Sequence, residues 1–296
     1  MSKFMNPFTD YAFKKLFGED DAKIYLIDFL NSILGNNIPF ITDIQHKRTE
    51  LLGRHNTDRN SIFDLYCTTE YGEKIIIEMQ KIEQTYFKDR SLFYVSSAIQ
   101  EQNRKGKVSG LEWDFKLSPV YCVAILNFSF DDKHPDKYLH IGKLLDIETH
   151  EELMDRINFA FIEMPKFKKT LNNCETKQDK WLYTLYNLER LQDVPSELED
   201  DVFLEFFHKA EISALKGEER GNYEDSLKYF RDLHIIEIQN HQKGMQKGMQ
   251  QGIQQGIEQG EINKALEIAV NMKRKGLDIN TIAEITNLSV DEINKL

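Results

Sequence analysis

Long apolar runs are missing from this chain of 296 residues. No stretch approaches the roughly 20 consecutive apolar residues that a membrane-spanning helix needs. Met1 to Pro7 carries no apolar signal core. Cysteine is scarce: Cys67, Cys122 and Cys174 stand far apart. That spacing argues against a disulfide framework or a zinc ribbon and suits a reducing compartment. The eight histidines show no metal-ligand spacing. No Walker loop, no GxGxxG after a strand, no HExxH and no GxSxG is present. These absences lead us to expect a soluble, cytoplasmic protein with no membrane partner and no nucleotide cofactor.

What is present suits a packed domain. Hydrophobic residues make up 41% of the chain and charged residues 29%, so wholesale disorder is not expected. The net charge of −11 opposes general nucleic-acid binding, but it is unevenly placed. Residues 1–130 carry 16 basic and 17 acidic side chains, and the remainder carries 22 and 32. Near-neutrality in the first part predicts weak metal-free affinity for DNA rather than none.

The chain is organised around SIFDLYCTTEYGEKIIIEMQK, Ser61 to Lys81. Two apolar strands, Ile62–Thr68 and Lys74–Lys81, flank a turn centred on Tyr71 with Gly72 beside it. Side chains alternate faces along a strand, so Asp64 shares a face with Tyr66, and Glu78 shares one with Ile76 and Gln80. With the turn centred on Tyr71, Asp64 and Glu78 stand opposite each other, Cβ atoms roughly 5 Å apart. Facing carboxylates repel unless something positive lies between them, and a divalent cation takes such oxygen ligands readily. From the hairpin alone, a half-buried pair of acids answered by surface lysines fits equally well.

Asp…Glu-x-Gln on one face resembles the PD-(D/E)xK nuclease superfamily, in which an acid and an acid-x-lysine on neighbouring strands bind Mg²⁺. The glutamine variant is similar to the Rpn family of recombination-promoting nucleases, or transposases. NPFTDYAFKKLFG, Asn6 to Gly18, resembles the opening signature of that family. The resemblance implies an α/β fold: a restriction-endonuclease-like mixed sheet flanked by helices, followed by an all-helical C-terminal region. It implies a DNA endonuclease dependent on Mg²⁺ or another divalent cation. Asp64, Glu78 and the Met79 carbonyl would hold the metal, and Gln80 would orient water or phosphate. An amide carries no charge, so Gln80 is no equal of lysine, and Lys14 or Lys81 would compensate only in part.

Supporting residues come from flanking helices. Thr9 or Asp10 caps a short helix, with Asp10 and Lys14 four apart on one face, which also fits a solvated pair. Thr85 to Arg104 reads as a helix with Phe87, Leu92, Phe93, Val95 and Ile99 partly inward. Arg90 and Tyr94 share a face there, and the resemblance carries them over as phosphate-contacting residues. The polar loop Gly53 to Asn60 holds Arg54, His55 and Arg59, for phosphate contact or as an ordinary turn. Pro119 to Phe128 reads as a buried central strand. Asp131 to His150 reads as a polar connector, and Arg156 to Lys166 as a further strand in which Glu163 is structural.

Four segments follow: a nuclease core over 1–170, a helical extension over 171–240, a Gly-repeat helix over 241–262 and a small helical module over 263–296. Gly244, Gly248, Gly252, Gly256 and Gly260 recur every four residues. Each costs a helix roughly 1 kcal/mol relative to Ala, so close approach to a partner helix is expected, giving a homo-oligomer. A flexible linker is the alternative. IAEITNLSVDEI, near the end, resembles half of a helix-turn-helix, for packing or for DNA.

Overall fold

Gly72 has φ +96° in the turn of the central hairpin, a conformation that favours glycine. In the computed structural model, which describes residues 2–51, 61–83, 86–105, 116–130 and 133–296, that turn joins β4 (Leu65–Thr69) to β5 (Lys74–Gln80). Before them come α1 (Asp10–Phe17), α2 (Lys23–Leu34), β1 (Ile44–His46), β2 (Glu50–Leu51) and β3 (Ser61–Ile62). After them come α3 (Phe87–Lys105), β6 (Val120–Leu126), β7 (Leu139–Leu145) and β8 (Glu152–Glu163). Among the described residues the main sheet has six strands in the order β1-β4-β5-β6-β8-β7. β5, β6 and β8 run parallel, while β1, β4 and β7 join antiparallel to their neighbours. A parallel step from β5 to β6 requires a crossover, and α3 lies in it. The mixed sheet between helices is the expected α/β architecture.

Alternation sends the strands' side chains to two cores. Leu65, Cys67, Ile75, Ile77 and Met79 belong to the larger, with α1 and α2. Tyr66, Ile76 and Cys122 belong to the smaller, covered by Val95 and Ala98 of α3. Leu92 and Phe93, expected partly inward, are 49% and 45% exposed. The buried stripe of α3 runs through Phe87, Ser91, Val95 and Ala98, three or four residues apart, and leaves Leu92 and Phe93 outside it.

α1 is held by its ends. Thr9 caps it, its hydroxyl accepting from the Ala12 N–H. At the other end, a Cβ on Gly18 would stand 2.8 Å from Leu65 Cδ2 and 2.8 Å from the Lys14 carbonyl oxygen. Only glycine lets the end of α1 sit so close to the start of β4.

The strands differ from expectation in three places. The first hairpin strand is interrupted at Phe63 and Asp64: Ser61–Ile62 pairs instead with Glu50–Leu51, and the Phe63 N–H reaches the Thr49 carbonyl. β5 ends at Gln80, so Lys81 leaves the alternation. Leu139–Leu145 is not a connector but the edge strand β7. Its alternation is weak because an edge strand is half exposed, and the partner that draws it in, β8, comes later in the chain.

α4 (Lys177–Asn187) and α5 (Asp201–Ala210) fill the larger core rather than forming an extension. The chain divides into Met1–Leu233 and His234–Leu296, so residues 171–233 belong with the sheet. Trp181 is fully buried, with Phe203 at 4.6 Å, Phe206 at 5.1 Å and Phe29 at 5.9 Å between ring centroids. Its indole N–H donates to Asp28 Oδ2 at 2.7 Å. Trp181→Ala should cost about 3–5 kcal/mol, read as a lower urea midpoint.

A long helix, α6 (Glu218–Arg274), is followed by α7 (Ile279–Thr286) and α8 (Val290–Lys295). In the second unit Ala269, Ile282 and Ile293 form a small core. Asp278 caps α7, and Ser289 with Glu292 forms a capping box on α8. The Gly repeat is helical, and no atom lies within 4 Å of where a Cβ would stand on any of its five glycines.

Candidate active site

Register brings the two acids together. β4 and β5 pair Leu65 with Ile77 and Tyr66 with Ile76, so the next step outward sets Asp64 opposite Glu78. There the Asp64 N–H donates to Glu78 Oε1 at 3.3 Å, and the Met79 N–H donates to Asp64 Oδ2 at 2.7 Å. The Gln80 amide donates to Glu78 Oε2 at 3.0 Å. Each carboxylate is thus aimed by the other's strand. Glu78 and Gln80 are buried, only 4% and 8% exposed.

Burial shows in the proton affinity of both acids. Burial first, then the Asp64 charge, pushes the Glu78 carboxyl up to about 8, against the Asp64 N–H, Arg90 and Gln80. Burial also raises Asp64, opposed by the Met79 N–H and by Lys14 and Lys81, while Asp10 adds repulsion. A cation between the two carboxylates would act in the opposite direction, favouring the ionised forms.

Asp10 and Lys14 form an ion pair at 3.0 Å on α1, both half exposed. Both line a cavity of about 630 Å³ that also takes in Asp64. Arg90 and Tyr94 sit on α3, the guanidinium 5.8 Å from the Tyr94 ring centroid. Tyr94 packs edge-on against Phe63, and its phenol is raised by burial and then by Glu78. Met79 turns its side chain into the larger core, leaving its main chain beside Asp64. Arg54, His55 and Arg59 lie outside the described residues.

Residues 7–241 match the model of the PD-(D/E)XK nuclease family transposase. The chain belongs to the PD-(D/E)XK nuclease family transposases. Residues 263–296 match the C-terminal HTH domain of the Rpn/YhgA-like nuclease family, so the helix-turn-helix likeness covers the end of α6, α7 and α8 rather than one half-motif. No curated protein and no solved structure matches the chain.

In this member of the PD-(D/E)XK family the donors suit a hard cation. Among the described residues no group of three or more His, Cys, Asp or Glu side chains converges, which disfavours a closed protein cage. Mg²⁺ asks for less: one or two carboxylates, with waters and substrate phosphate completing its shell. Asp64 and Glu78 fit that requirement.

Two neighbours stand where strand alternation did not put them. Lys81, expected on the opposite face from Glu78, lines a cavity of about 200 Å³ with Asp64 and Gln80. Alternation stops with the strand, so its side chain is free to turn back. Burial lowers its ammonium, while Asp10 and Asp64 act to raise it. Tyr229 of α6 lines the same cavity. No local signal marks Tyr229, because the docking of α6 depends on distant residues: the Tyr223 hydroxyl accepts from the Asn6 N–H, and Lys15 pairs with Glu219 at 2.6 Å.

Proposed function

We propose that this chain is a DNA endonuclease dependent on Mg²⁺ or a similar divalent ion, hydrolysing phosphodiester bonds in recombination or mobile-element activity in the cytoplasm. The observation that carries the reading is the convergence of Asp64, part-buried, and Glu78, buried, in the register of β4 and β5, with both carboxyls raised. Asp64, Glu78 and the Met79 carbonyl would hold the ion. When bound, such an ion supplies an acidified water and charge compensation at the phosphate.

The remaining work falls to side chains. Gln80 tethers Glu78 through its amide and can turn the other edge of that amide toward water or a phosphate oxygen. It brings no charge, so cationic help comes from elsewhere: Arg90 beside Glu78, Lys14 and Lys81 beside Asp64. Tyr94 braces Arg90 from the next turn of α3.

Nicking of supercoiled plasmid tests the proposal. Wild type should cut with Mg²⁺ or Mn²⁺ and stop when EDTA is added, and Asp64→Ala should not cut. Persistent cutting by Asp64→Ala would sink the assignment. A second reading, a non-catalytic oligomeric adaptor for DNA or protein, draws support from the Gly-repeat helix. There Met245, Met249, Ile253 and Ile257 are all more than half exposed. Association through residues 244–260 is compatible with either activity. Absence of cutting with any divalent ion, together with concentration-dependent assembly by sedimentation, would favour the adaptor.

A further inference from the structure

Two cavities meet at Asp10 and Asp64, which stand in the walls of both. The larger extends toward Lys14, Lys15 and Ser226. The smaller ends against Lys81 and Tyr229. A polynucleotide laid across Asp64 therefore has one flanking nucleotide on each side of that carboxylate. Each side has an aromatic ring, but Tyr11 on the larger side is part-buried and packs against Tyr223, whereas Tyr229 on the smaller side stands in the open. Tyr229 is 59% exposed despite its place in that wall. The Lys81 ammonium covers one face of the ring, 5.4 Å from its centroid. A cation on one face of an aromatic ring leaves the other face for a planar partner, and every nucleobase has such a face.

Resting on the reading of Asp64 and Glu78 as a nuclease centre, we propose that Tyr229 and Lys81 form a nucleotide subsite beside the cleaved phosphate. The Tyr229 ring stacks on the neighbouring base, and the Lys81 ammonium holds that nucleotide's phosphate. Stacking needs an uncovered base face, which a paired and stacked duplex hides. The subsite therefore favours an unpaired nucleotide next to the cut, such as a single strand, a flap or a distorted junction. Because the ring comes from α6, this preference belongs to an element outside the acid-bearing hairpin.

Fluorescence anisotropy on the full chain checks this, with a labelled single-stranded oligonucleotide and its duplex, in calcium. Tyr229→Ala should weaken single-strand binding by roughly tenfold and duplex binding far less, as expected for one lost stacking contact. Tyr229→Phe and Tyr229→Trp keep a ring and should bind the single strand about as tightly as wild type. Lys81→Gln should weaken both substrates and reduce the slope of binding against salt by about one.

Equal single-strand affinity of Tyr229→Ala and wild type would overturn the subsite. So would equal loss on both substrates, loss in Tyr229→Phe as well, or a wild type that binds no single strand. Plasmid nicking reports separately on the centre itself. A wild type that nicks while Tyr229→Ala binds normally refutes the subsite alone. Tyr229-dependent binding without nicking refutes the nuclease reading alone.

Discussion

Replacing Glu78 with glutamine should make the metal-free protein more stable and leave it unable to cut DNA. The stability gain follows from linkage. A Glu78 carboxyl raised from 4.5 to about 8 means that the folded chain holds a proton the unfolded chain releases. Its contribution is fully present below the ordinary glutamate value and is lost as pH rises through about 8. Glutamine keeps the shape without ionising, so the variant should lack that decline. The gain at pH 8.5 should be on the order of 2 kcal/mol, or roughly 4–8 °C in midpoint for a unit of this size. Asp64 is raised by the same burial and adds a slope of the same sign.

The same experiment has an arm with metal. Mg²⁺ favours the ionised carboxylates, so it should raise the wild-type midpoint more at pH 8.5 than at pH 5.5, and that of Glu78→Gln little at either. Cutting by the variant should fall by about a thousandfold or more, since about 4 kcal/mol of barrier corresponds to that factor. A wild-type midpoint that climbs between pH 5.5 and 8.5 relative to Glu78→Gln would contradict the burial argument. Retained cutting would contradict the assignment of Glu78.

Glu163→Ala should be the most destabilising polar substitution in the sheet. Glu163 ends β8 with no solvent exposure. Its Oε1 lies 2.6 Å from His140 Nε2 and accepts from Lys166 Nζ at 3.0 Å, and its Oε2 accepts from the Phe130 N–H at 2.9 Å. Lys166 is itself buried and also donates to the His134 carbonyl. Removing the carboxylate takes one hydrogen-bonded ion-pair partner from the buried Lys166 ammonium and an acceptor from the Phe130 N–H, at a cost of about 3–5 kcal/mol. Urea unfolding should show this as a lower midpoint. The paired change Glu163→Leu with Lys166→Met should be clearly milder than Glu163→Ala, because both charges of this buried pair are then removed together. Equal losses would mean that the cluster acts through shape alone. The structural role expected for Glu163 is consistent with these contacts, which tie the end of β8 to the edge strand β7.

The hairpin was legible because everything that specifies it is local. Period-two alternation in LYCTT and KIIIEMQ, and a glycine at the turn, set the register that faces Asp64 with Glu78. The α3 residues Arg90 and Tyr94 were legible for the same reason: a helix fixes which side chains share a face. Legibility failed at element ends. Alternation carried one residue too far puts Lys81 on the face away from Glu78; β5 stops at Gln80, and alternation says nothing beyond it. β7 was hidden because an edge strand needs no apolar alternation once a partner supplies the hydrogen bonds.

By itself the sequence determined the hairpin whose register faces the acids, Glu78 on β5 and Asp64 just before β4, and the family signature around them, since each rests on residues a few positions apart. Tertiary structure alone decided what surrounds those acids. It put Tyr229 and Lys81 into one cavity wall with Asp64, and made α4 and α5 part of the core through Trp181, Phe203 and Phe206. Such neighbours are chosen by the total apolar surface buried when distant segments close on one another, a sum over the whole chain that no short window contains.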